Sequence, residues 1–99
     1  MLRIVTLNGG ITELKSLSDV TETPVWVDIT DITKDEASEL QHTFNLHPLT
    51  IEDLSMVRTR IKVEQFPQYL LCVFYTVQRN KSLKTIETDF IVGKNFLIT

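Results

Sequence analysis

At 99 residues and 42% hydrophobic content, the chain is long enough for one small domain with a single core, without disulfides or a structural metal. Its 13 acidic and 10 basic residues leave a formal net charge of −3, so composition offers none of the basic surface that nucleic-acid binding requires. A single cysteine, Cys72, excludes an intramolecular disulfide, and with only two histidines the chain presents no Cys/His zinc cluster. Cys72 lies in the most apolar run of the chain and reads as a small buried hydrophobe.

The start, Met1-Leu2-Arg3-Ile4-Val5, alternates like a strand and lacks the apolar core of a signal peptide. Arg3 to Leu7 and Ile11 to Leu14 form two strands around Asn8-Gly9-Gly10, a strong short-range hairpin signal. The polar stretch from Lys15 to Thr23 reads as a loop or one short helical turn. After Pro24, Val25-Trp26-Val27-Asp28-Ile29 is a strand with Val25, Val27 and Ile29 toward the core. Thr33 followed by Glu36 fits a capping box. Ala37, Leu40 and Phe44 then recur at helical spacing over about three turns. Asp35, Glu36 and Glu39 stabilise the N-terminal end of that helix through its dipole.

Asn45 suits the left-handed end of this helix, and Pro48 suits the first turn of another, with His47 at or beside its N-cap. Leu49, Ile51 and Leu54 are its apolar positions, and it ends near Ser55 or Met56. Arg60 to Phe66 alternates as a half-buried strand, with Ile61 and Val63 on one side and Lys62 and Glu64 on the other. Tyr69 to Val77 is apolar on both faces, as a central strand covered on both sides would be. Its longest apolar run, Tyr69 to Tyr75, is far short of the roughly 18 residues that span a bilayer, so the chain reads as soluble and cytosolic. Lys84 to Val92 alternates again, and Gly93-Lys94-Asn95 turns into Phe96-Leu97-Ile98-Thr99. The expected fold is α+β, layered and α/β/α-like, with a mixed, mostly antiparallel sheet and helices packed on it. The chain reads as a single domain, 1–99, that stops on its last strand as a fragment would.

The adjacent carboxylates Glu52 and Asp53 are the strongest candidate for chemistry. Mg²⁺ binds oxygen ligands, often through only one or two carboxylates while keeping its waters. Helical neighbours point about 100° apart, so these two would make half a site completed by another surface. In the competing structural reading, Asp53 pairs with Arg58 or Arg60 and Glu52 is solvated. His47, with no second ligand at metal-binding spacing, reads as a capping or packing residue. Asp28 and Asp31 read as part of a loop into the capped helix. No serine or cysteine nucleophile has a recognisable base, and Gly9-Gly10 lacks a phosphate-loop pattern, so an enzyme is disfavoured.

Trp26-Val27-Asp28-Ile29, a capped helix ending at Phe44, and Leu46-His47-Pro48-Leu49-Thr50-Ile51-Glu52-Asp53 resemble the CorA-type magnesium/cobalt transporter family in order and spacing. Arg60-Ile61-Lys62-Val63-Glu64-Gln65-Phe66, the apolar strand with Tyr69, and the closing Gly93-Lys94-Asn95-Phe96-Leu97-Ile98-Thr99 extend the resemblance from Val25 to the last residue. Ile61 stands where relatives typically carry proline, a departure that touches the local backbone and no ligand. The family's stalk helix, two membrane helices and Gly-Met-Asn pore signature would all lie beyond Thr99, so the chain resembles the N-terminal cytosolic part alone.

The resemblance implies a cytosolic regulatory domain of an inner-membrane homopentamer. In such proteins divalent cations, Mg²⁺ or alternatively Co²⁺, bind between neighbouring domains and favour a closed pore. Asp53 matches the family's intersubunit metal carboxylate and Glu52 an accessory acid, with the complementary acid on the next subunit. Three alternatives stand beside this reading. They are a zinc-transporting relative of the same superfamily, a protein-interaction module unrelated to transport, and a small enzyme using Asp28, His47 or Asp53.

Overall fold

The structure, a computed structural model, describes residues 1–7, 10–20, 24–56 and 60–99. Its elements are β1 (Leu2–Leu7), β2 (Ile11–Leu14), β3 (Val25–Ile29), α1 (Lys34–Phe44), α2 (Pro48–Ser55), β4 (Lys62–Phe66), β5 (Tyr69–Arg79), β6 (Leu83–Gly93) and β7 (Phe96–Ile98). One short 3₁₀ turn, Leu17–Asp19, interrupts the connection between β2 and β3. The strands form one seven-stranded sheet in the order β2-β1-β3-β7-β6-β5-β4. Neighbours are antiparallel except β3 and β7, which run parallel. The mixed, mostly antiparallel α+β fold expected from the sequence is the fold observed. The turn expected at Asn8-Gly9-Gly10 falls mostly outside the described residues.

Strand alternation gives the sheet two different faces. Val25, Val27, Ile4, Leu71, Val73, Ile91 and Ile98 point to the inner face and are buried beneath Leu40, Phe44 and Leu46 of the helical segment. Burying large aliphatic side chains in this way contributes about 1.5–3 kcal/mol each. Gly93 lets the ring of Phe96 lie where a side chain would stand, and that ring packs on Phe44 with centroids 4.7 Å apart.

The outer face carries a row of apolar side chains in cross-strand register. Trp26 lies beside Leu97, Leu97 beside Val92, and Val92 beside Leu70. Trp26, Val92 and Leu70 are 41%, 43% and 39% exposed. Two sequence expectations, on β5 and on Cys72, are corrected by this asymmetry, and the inward side of β4, left open by its alternation, is decided. β5 is covered on one side, not both, because Leu70 and Phe74 face outward and are exposed. Cys72 is half-buried on that outer face, not in the core. β4 turns its charged side inward, leaving Ile61 and Val63 exposed while Lys62 and Glu64 are half-buried.

The helices start and stop where the sequence signals them. Thr33 caps α1 in a complete capping box with Glu36, and Asn45 ends it at φ 52°, ψ 49° in the left-handed region. His47 is the N-cap of α2, its Nδ1 accepting the Leu49 N–H at 3.1 Å, and Pro48 occupies the first turn. One apolar assignment fails. Leu49 is exposed, and the fully buried residue of α2 is Thr50. The reason is a polar lock, in which the Tyr69 hydroxyl accepts the His47 N–H at 2.9 Å and bonds Thr50 Oγ1 at 2.6 Å.

A buried group left without its partner costs about 1–3 kcal/mol. Tyr69→Phe is therefore expected to lower stability by about 2 kcal/mol, read as a shift of the urea unfolding midpoint at unchanged slope.

Candidate metal half-site

The lock between Tyr69 and Thr50 sets the rotation of α2. From Thr50, at about 100° per residue, Glu52 lies about 200° round the helix and Asp53 about 300°. Glu52 accordingly faces solvent, whereas Asp53 turns back toward the sheet and is half-buried. Asp53 Oδ2 meets the Lys62 ammonium at 2.6 Å, with side chains 15% and 19% exposed. Lys62 also reaches Glu64 Oε2 at 3.2 Å. Its hydrogen bond to Asp53, reinforced by Glu64, holds the lysine above its ordinary pKa against the opposing effect of burial.

The sequence reading named Arg58 or Arg60 as the partner of Asp53. Arg58 lies outside the described residues, and Arg60 is exposed just ahead of β4. Lys62 takes the role because β4 enters the sheet with this residue on the inner face, opposite Val73. Glu52 and Asp53 thus diverge as helical geometry requires. Among the described residues no three His, Cys, Asp or Glu side chains converge to hold a metal ion by themselves. Asp53 nevertheless offers a hard oxygen donor in a position that already holds a cationic group.

A second acidic pair was not singled out from sequence. Register places Lys62 beside Val73 and Val73 beside Asp89, all on the inner face. Asp89 is hydrogen-bonded to Glu87, which accepts from the Tyr75 hydroxyl at 3.2 Å. Asp89 Oδ1 is buried without a hydrogen-bond partner. Burial first, then the charge and hydrogen bond of Glu87 and the charge of Asp53, push the Asp89 carboxyl up to about 7, with Lys62 opposing. Glu87 and Asp89 line a cleft of about 650 Å³ together with Asp28, Asp31 and the end of α2. The available signal was phase, since both acids fall on the strand face that also carries buried Ile91.

The structure does not bring the residues of the enzyme reading together. Asp28 accepts a hydrogen bond from Thr99 Oγ1 at 3.0 Å, and Thr99 in turn receives one from the Trp26 indole. His47 caps α2, packs near Phe66, and lines a separate hollow with Asn45 and Tyr69. Asp31 stands at φ 48° in the exposed loop before α1.

Residues 21–99 match the CorA-like Mg²⁺ transporter protein family. The chain belongs to this family. It is 36% identical over 78 residues to the magnesium transporter ALR2 of Saccharomyces cerevisiae, covering 75% of this chain and 9% of that protein. It is 34% identical over 80 residues to the cobalt/magnesium transport protein CorA of Thermotoga maritima, covering 77% of this chain and 23% of that one. The fold superposes on the soluble domain of CorA from Methanocaldococcus jannaschii with a TM-score of 0.75 at 16% identity, over 100% of this chain and 39% of that chain. This CorA-family chain therefore spans well under half of each of these relatives. Its relatives are transporters, not enzymes, and no helix among its described residues is long and apolar enough to cross a membrane.

The raised carboxyl of Asp89 makes stability depend on pH. Between its ordinary 3.8 and about 7 the folded chain holds a proton that the unfolded chain releases. This contribution is full at the acid end and is lost as pH rises through about 7. Asp89→Asn should flatten the decline between pH 5 and pH 8 and leave the variant the more stable of the two at pH 8, as read by paired thermal melts.

Proposed function

We propose that the chain is the cytosolic, divalent-cation-sensing domain of a CorA-like Mg²⁺/Co²⁺ channel, a single domain that works within a homopentamer of an inner-membrane protein. The observation that carries this reading is the family match across residues 21–99, and the site geometry supports it. Glu52, facing outward, and Asp53, turned toward the sheet, lie in the second turn of α2 and form half of a site that an acid of the neighbouring subunit completes. Asp53 is the ligand and Glu52 the accessory acid, oriented outward to help hold the hydrated ion. Mg²⁺ is the regulatory ion, and Co²⁺ satisfies the same oxygen donors.

The physics of such a device is simple. Two carboxylates about 4 Å apart across an interface repel by about 4 kcal/mol at an effective dielectric of about 20. An ion between them turns that repulsion into attraction. Reversing a two-state equilibrium from 1:99 to 99:1 takes about 5.5 kcal/mol. The gain from sites at several subunit interfaces is enough to drive a closed state when the ion is abundant. Loss of the ion restores the repulsion and loosens the ring.

The test is limited proteolysis of the assembled transporter along an Mg²⁺ titration, wild type beside Asp53→Ala. Millimolar Mg²⁺ is expected to protect the wild type, and the variant should need at least several-fold more. Identical protection curves would make the pair structural and remove Asp53 from sensing.

A further inference from the structure

A bare acidic half-site would leave Asp53 open to an incoming ion, yet here the carboxylate is already engaged. Lys62 Nζ sits 2.6 Å from Asp53 Oδ2 and 3.2 Å from Glu64 Oε2. Both partners of the shorter contact are half-buried, so the pair is less screened than an exposed one. We propose that Lys62 is a tethered counter-cation that competes with the divalent ion for Asp53 and so sets the affinity of the half-site. The inference rests on reading Asp53 as a metal ligand and adds the residue that tunes it.

Three features support competition over simple structural pairing. A Mg²⁺ ion bound directly to Oδ2 at about 2.0–2.1 Å would meet the ammonium at close range. The two cations cannot share that oxygen without strong repulsion. Glu64 supplies a second acceptor, so the ammonium can leave Asp53 without being stranded unpaired in a half-buried place. Lysine also suits an exchange, because its charge rides on a flexible stem, whereas arginine would clamp the carboxylate with a planar fork.

The surroundings favour exchange over exclusion of all cations. Among the described residues, the inner face near Lys62 carries Asp53, Glu64, Glu87 and Asp89 against this one ammonium. Even with Asp89 protonated, these described groups sum to a net negative charge. A divalent ion is drawn to the site, and the lysine fixes how much of it is needed. Register makes the arrangement a property of the fold, since Lys62 is aligned with fully buried Val73 and has no outward alternative.

The experiment uses the isotope-labelled 99-residue chain, with Mn²⁺ as the probe and amide line broadening at residues 52–55 as the readout. Lys62→Met should show about tenfold more broadening than wild type at equal Mn²⁺, as expected for removing one adjacent like charge. Lys62→Arg should show the same broadening as wild type or less, and its retained charge provides a second, folded test. Adding Asp53→Asn to Lys62→Met should abolish the gain. Equal Asp53-dependent broadening in wild type and Lys62→Met would overturn competition while leaving the half-site intact. Weaker broadening in Lys62→Met would mean that the lysine positions the carboxylate, and would overturn competition too. A gain that survives Asp53→Asn would place the ion elsewhere and overturn it. Absence of Asp53-dependent broadening in every variant would overturn competition at this half-site, and the metal reading would then stand or fall on the proteolysis of the assembled transporter.

Discussion

The arrangement depends on one buried hydroxyl. Tyr69 sits at the start of β5 and satisfies both the His47 N–H and Thr50 Oγ1. A two-turn helix such as α2 has little intrinsic stability, because nucleation is costly and few hydrogen bonds follow. Its position comes from contacts with the sheet. By pinning the first turn, the tyrosine fixes the helix's rotation, and rotation decides which acid turns inward. The same ring stacks on Phe66 at 4.7 Å, and Phe66 lies near His47, so the N-cap, the strand end and the lock form one unit.

From this lock the polar layout of the inner face follows. Asp53 descends onto Lys62, and the strand pairing aligns Lys62 with Val73 and Asp89. A hydrophobic half of the face, around Leu71, Ile91 and Val27, holds the helices. A charged half, at the far end of β4 to β6, holds Lys62 among several carboxyls. Charges in such a place persist only when paired or neutralised. Lys62 is paired twice, and Asp89 is pushed toward its neutral form. The two solutions stand side by side, one a doubly paired ammonium and the other a carboxyl that keeps its proton up to about 7.

The two faces of the sheet differ in kind. The inner one is packed, and the outer one presents Trp26, Val92 and Leu70 in register, each about two-fifths exposed to solvent. Phe74 and Phe90 meet edge to face there, with centroids 6.3 Å apart, giving that face local order of its own. Family membership places this sheet in a chain type whose known members run much longer than the 99 residues here.

The sequence alone determined whatever depends on near neighbours. The capping box of Thr33 and Glu36, the left-handed Asn45, the N-cap His47 before Pro48, and the divergence of Glu52 and Asp53 all follow from local backbone geometry. The residue blocks around His47 and Lys62 also sufficed to indicate the family. What only the tertiary structure decided are the pairings of residues far apart in the chain. Alternation in β4 shows that Lys62 and Ile61 face opposite ways, but not which face meets the helices, because that depends on sheet register and on the Tyr69 lock. Hence Lys62 answers Asp53, and Thr50, not Leu49, is buried. Asp89 remained hidden for the same reason, since a carboxyl acquires its unusual proton affinity only when folding removes its water and brings Glu87 and Asp53 near.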